Sequence, residues 1–167
     1  MNMKNNRSQL LYISQAAIIA AVYAALCLVF APISFAAVQV RIAECLTILP
    51  MFTPAAIPGL FIGCIIGNAA CGAVLPDVIF GSLATLIGAW LGYRLRDNRW
   101  LVPIPTVIAN TIIVPLVLKY AYLVDLPLWL SAIYILGGEI LSSYILGEIL
   151  GAALLKHPAY RKEREEN

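Results

Sequence analysis

The sequence predicts an all-α integral membrane protein. Six transmembrane helices form one domain over 1–167, with both termini in the cytoplasm. Three observations carry this. Only 12% of residues are charged, where a soluble domain carries roughly 25%. Spanning a bilayer takes about 20 apolar residues, and such runs recur. Tyr12–Ala31 holds no charge, Asp77–Tyr93 holds none after its first residue, and Leu101–Lys119 and Leu128–Leu155 follow. Finally, the basic residues gather in three clusters that one topology places on one side.

The helices are expected at about 12–31, 42–53, 55–74, 77–93, 101–120 and 128–155, with a cytoplasmic tail at 156–167. Lys4 and Arg7 before the first run resemble the start of a signal peptide. Signal h-regions run to about 7–15 residues; this run is longer, so it is read as a retained helix. The second segment is the doubtful one. Ile42–Phe52 contains Pro50 and is followed by Pro54 and Pro58. Eleven α-helical residues extend about 16 Å, against a hydrocarbon layer of about 30 Å.

Loop charge decides, because cytoplasmic loops are rich in Lys and Arg. The clusters are Lys4 and Arg7; Arg94, Arg96 and Arg99; and Lys156, Arg161, Lys162 and Arg164. If the short segment crosses, nine of the eleven basic residues fall on one side. If it does not, the middle cluster is stranded. Six crossings are therefore expected. Non-helical backbone at membrane depth survives only inside protein or along a watery cavity. Pro32–Arg41 must then fold inward beside the short crossing, which implies a polar cavity open to the outside with Arg41 and Glu44 at its wall.

Helices in lipid associate through small residues. Ala16, Ala20 and Ala24 form one line on the first helix, and Ala17, Ala21 and Ala25 the next. Gly59, Gly63 and Gly67 line the third. Most such ladders serve internal packing, but the doubled alanine ladder offers a smooth face to a docking partner.

An ionisable group inside a membrane helix costs about 2.5–3.5 kcal/mol on insertion scales, so it marks a site by default. Glu139, in GGEILSS, is the leading case, with Ser142 and Ser143 on its face. The alternative is a protonated acid bonded to a neighbouring helix. Asn68 and Asn110 serve as ligand contacts or as helix glue. Asp77 is either a site residue or a helix N-cap. Arg41 and Glu44 touch ligand or pair with each other at i,i+3. Trp129 and Tyr134, with Tyr122, anchor the interface or stack on a planar ligand. Glu148 points to a basic loop or a partner. Both signs of charge with amides suit a small polar molecule with a donor and an acceptor edge.

Other chemistry is excluded by what the pattern lacks. There is no GxxxxGK[ST] for ATP, no Ser/His/Asp set and no HExxH. No catalytic residue, metal site or cofactor is expected, and nothing suggests nucleic acid. Cys27, Cys45, Cys64 and Cys71 read as small buried hydrophobes, and the lone His157 as a tail residue. Six helices without inverted halves do not look like a self-sufficient carrier. A binding subunit energised by another protein is favoured over a channel or carrier, and over an enzyme.

At QVRIAECLTILP, AIPGLFIG, DVIFGSLATL, PIPTVIAN and GGEI, from about Pro32 to Gly147, the chain resembles the QueT family. These are substrate-binding S components of energy-coupling factor (ECF) transporters, assigned to queuosine precursors. The resemblance implies six helices and a site near the outer face. It also implies docking of Ala16, Ala17, Ala20, Ala21, Ala24 and Ala25 onto a transmembrane scaffold (T) subunit. Two cytoplasmic ATPases would power toppling of the S component in a bacterial plasma membrane. Its ligand would be a 7-deazaguanine. Glu139 or Glu44 would read the donor edge and Arg41 or Asn110 the carbonyl. Trp129 or Tyr134 would stack, and Asp77 would meet an aminomethyl cation. Another vitamin-like solute is the alternative.

Overall fold

Apolar runs this long leave the backbone no solvent partner, so its polar groups must be satisfied within the chain. The computed structural model describes residues 3–34 and 40–156, with side chains over 6–32 and 40–156. Residues 157–167 of the expected tail and residues 35–39 of the inward-folding segment lie outside them. Every described regular element is helical. These are α1 (Met3–Val29), α2 (Ala31–Ser34), a 3₁₀ helix (Ile42–Met51), α3 (Ala56–Ala70), α4 (Leu75–Arg94), a 3₁₀ turn (Arg99–Leu101), α5 (Ile104–Tyr120), α6 (Leu128–Glu139), a π-helix (Ile140–Leu146) and α7 (Gly147–Leu155).

Among the described residues, four stretches are long and apolar enough to cross a membrane: Asn6–Val29, Leu75–Arg94, Arg99–Tyr120 and Leu128–Leu155. Ile42–Met51 and Ala56–Ala70 are shorter apolar helices.

The doubtful second segment differs from expectation in its winding. Pro50 has no N–H to donate, and the flanking bonds close over three residues, Glu44 N to Arg41 O at 2.9 Å and Phe52 N to Leu49 O at 2.8 Å. A 3₁₀ helix rises about 2.0 Å per residue, so ten residues reach about 20 Å, and runs this long are uncommon. The last long helix also departs from the α form, because the π-helix begins immediately after Glu139. Such irregularities often mark functional positions. The 3₁₀ helix packs against the π-helix, α7, α4 and α1, so the two irregular segments meet in the middle of the bundle.

Close approach of α1 and α3 depends on glycine. A methyl group added at Gly63 would stand 2.8 Å from Tyr23 Cβ and 2.9 Å from the Ala20 carbonyl oxygen. At Gly59 it would stand 2.8 Å from the Ala16 carbonyl oxygen. Gly88 brings α4 against Thr106 of α5 in the same way. The buried core joins Tyr23 and Cys27 of α1, Ala43 and Leu46 of the 3₁₀ helix, Leu60 and Cys64 of α3, and Ala89 of α4. All four cysteines are free; Cys27 and Cys64 are buried, while Cys45 and Cys71 are half-buried.

Candidate functional site

Two polar clusters are built where the irregular helices meet the rest of the bundle. The first lies near the α3–α4 turn. Arg41, just before the 3₁₀ helix, donates from Nη2 to Oδ1 of Asn68 on α3. Asn68 Nδ2 in turn reaches the Asp77 carbonyl oxygen at 3.5 Å. The Tyr122 hydroxyl donates to Asp77 Oδ2 at 3.0 Å and accepts from Val74 N at 3.3 Å. Gly81 makes room for the group, since a methyl there would lie 3.0 Å from Asp77 Oδ1 and 3.8 Å from Arg41 Nη1. Arg41, Asn68 and Asp77 are all buried. Burial and the Asp77 carboxylate push the Tyr122 phenol pKa up, so it remains a proton donor at ordinary pH.

The second cluster centres on Glu44 and Glu139. Asn110, half-way along α5, donates from Nδ2 to Oε1 of Glu139 at 2.8 Å. Tyr23 of α1 donates its hydroxyl to Oε1 of Glu44 at 2.5 Å. Thr47 Oγ1 donates to the Glu44 carbonyl oxygen at 2.6 Å and lies 2.8 Å from Ser143 Oγ of the π-helix. Glu44 and Glu139 lie close enough to interact electrostatically, and Arg41 acts on both. All these side chains are buried. Three of their oxygens nevertheless have no hydrogen-bond partner: Glu44 Oε2, Asn110 Oδ1 and Glu139 Oε2.

Six of the residues singled out in the sequence, Arg41, Glu44, Asn68, Asp77, Asn110 and Glu139, therefore fall into two adjoining clusters. Trp129 does not share their burial, being 66% exposed, and Tyr134 is half-buried. Asp77 is not the N-cap of α4. Val74 holds that position, and Asp77 occupies the first turn, where its charge still favours the helix dipole. Sequence reasoning missed Tyr23 and Thr47. A tyrosine interrupting an alanine face was the available signal for the first.

The alanine ladder divides. Ala20 and Ala24 are buried against α3, and Ala16 is half-buried there. Ala17, Ala21 and Ala25 are exposed. The first line is occupied by internal packing, which leaves only the second for a partner. Glu148 meets the basic loop, pairing through Oε2 with Arg99 Nε at 3.2 Å. Two grooves between α4 and α5, of about 480 and 430 Å³, are walled by exposed apolar residues such as Phe80, Ile87, Ile108 and Ile112, a surface suited to lipid.

Among the described residues no group of three or more His, Cys, Asp or Glu could hold a metal ion. The family model for the QueT transporter matches residues 13–156, most of the chain. The chain belongs to the QueT family. QueT proteins are S components of ECF transporters, so the chain is a multi-pass membrane protein of transporter type. No curated protein and no solved structure matches it.

Proposed function

We propose that the chain is the substrate-binding subunit of an ATP-driven ECF importer, and that its ligand is a queuosine precursor of the 7-deazaguanine class. The observation that carries this reading is the trio of buried, unpartnered acceptors: Glu44 Oε2, Asn110 Oδ1 and Glu139 Oε2. Each such group costs about 1–3 kcal/mol while it stays unpaired. A ligand that presents several N–H donors recovers that loss on binding. A 7-deazaguanine carries N1–H beside its exocyclic amine, donors for the free oxygens of Glu44 and Glu139. Arg41 is the candidate donor to the ring carbonyl. Asp77 suits an aminomethyl cation, and Tyr134 or Trp129 a stacked ring.

The subunit performs no covalent chemistry in this reading. It takes ligand from outside a bacterial plasma membrane, with six crossings and both termini in the cytoplasm, and reorients to release it inward. A T subunit, docking on the exposed Ala17, Ala21 and Ala25, couples it to two cytoplasmic ATPases that supply the energy.

Isothermal titration of the purified protein against 7-deazaguanines, biotin, riboflavin and thiamine tests the ligand. Binding confined to the deazaguanines is the expected result, and no binding of any of them defeats the assignment. Liposomes containing the chain alone should show no uptake; uptake without partners would point to an autonomous carrier.

A further inference from the structure

Tyr23 has no place in the ligand contacts just described, yet its side chain is completely buried and its hydroxyl ends on Glu44 Oε1 at 2.5 Å. A buried tyrosine needs a partner for its O–H. Most of the core around it offers none: Cys27, Leu46, Leu60 and Ala89 are apolar. The ring is held by the tight α1–α3 seam at Gly63. The main chain of Glu44 is pinned separately, through Thr47 and its contact with Ser143. The backbone is thus held from the π-helix and Oε1 from α1. Oε2 is buried without a hydrogen-bond partner, and Thr85 is a further hydroxyl close enough to act on the carboxylate.

We infer that Tyr23 is a positioning residue of the ligand site. It holds one oxygen of Glu44 so that the other is presented, unpaired, to a ligand donor. The inference rests on the proposed ligand-binding role. It adds a structural link that the role does not require: the same α1 that carries Ala17, Ala21 and Ala25 on its exposed side holds a site carboxylate from its buried side. Without the hydroxyl, Oε1 would lose its partner and the carboxylate could turn toward Arg41 or Thr85, both of which act on it.

Tyr23→Phe tests this, because it keeps the ring that fills the seam and removes only the O–H. Titration with a 7-deazaguanine should show affinity reduced about tenfold or more, while the melting temperature shows that the protein is folded. A tyrosine that affects binding only through the packing of the α1–α3 seam would act independently of Glu44, so a double-mutant cycle decides the role. In a Glu44→Ala background, where no carboxylate remains to be positioned, Tyr23→Phe should cause no further loss. Wild-type binding that Tyr23→Phe leaves unchanged, or an equal loss in both backgrounds, overturns the inference and leaves the proposed function standing. Absence of deazaguanine binding by the wild type overturns the proposed function and this inference with it.

Discussion

The α1–α3 seam and the deep polar cluster lie next to each other and share Tyr23, but they solve opposite problems. Along the seam, Gly59, Gly63 and Gly67 let two backbones approach until a single methyl group would collide with α1. Contact there is complete, and nothing remains for a ligand. In the cluster, Glu44, Asn110 and Glu139 are as deeply buried, yet each keeps an oxygen without a partner. Lipid tails reward close packing between helices and penalise unpaired polar groups. Ser82, Thr106, Thr111 and Glu148 also keep buried oxygens without a hydrogen-bond partner; the cluster differs in gathering two carboxylates and an amide, where a ligand with several donors can contribute most.

Substitutions should separate the two regions. Gly63→Leu should do the greatest damage. Its Cβ alone meets Tyr23 and Ala20 under 3.0 Å, and overpacking typically costs about 1–3 kcal/mol, more against rigid backbone. Detergent-solubilised protein should be lost from the monodisperse peak in size-exclusion chromatography; a normal peak would mean the seam can open. Ala20→Leu should fail in the same way, because Ala20 faces that seam.

Glu139→Gln should leave the protein folded and weaken ligand binding more than tenfold, about 1.4 kcal/mol. Gln can still accept from Asn110 with its carbonyl oxygen, but it then turns an N–H₂ donor toward ligand donors. Unchanged affinity by calorimetry would place the pocket elsewhere.

Ala21→Leu, one position from the seam residue, should leave both fold and affinity intact. It should abolish co-purification with a T subunit, and normal assembly would remove α1 from the docking surface. The smallest effect is expected at Glu148→Gln. Its partner Arg99 is 32% exposed, and the pair spans the edge of the bundle. Such partly exposed pairs contribute about 0–1 kcal/mol, so the melting temperature should move by no more than a few degrees and affinity not at all.

Much of the candidate site was legible because charge and amide groups stand out in an apolar chain. Arg41, Glu44, Asn68, Asp77, Asn110 and Glu139 could be marked one by one, and all six are buried. Trp129 and Tyr134 could not be placed this way, since an aromatic residue at a helix end fits an interface as well as a pocket. The alanine ladder was visible as a doubled line, but which line packs inward depends on the neighbour it meets.

The sequence by itself determined the solvent, the helical class and the residues that do not belong in lipid. Those are local properties, set by hydropathy over about 20 residues and by single polar side chains. Only the tertiary structure decided the winding of the 3₁₀ and π segments, the inward line of alanines, and which oxygens go unpaired. A hydrogen-bond partner is fixed by proximity in space. Tyr23 and Glu44 are 21 residues apart, Asn110 and Glu139 are 29, and Thr47 and Ser143 are 96. No local pattern records those distances.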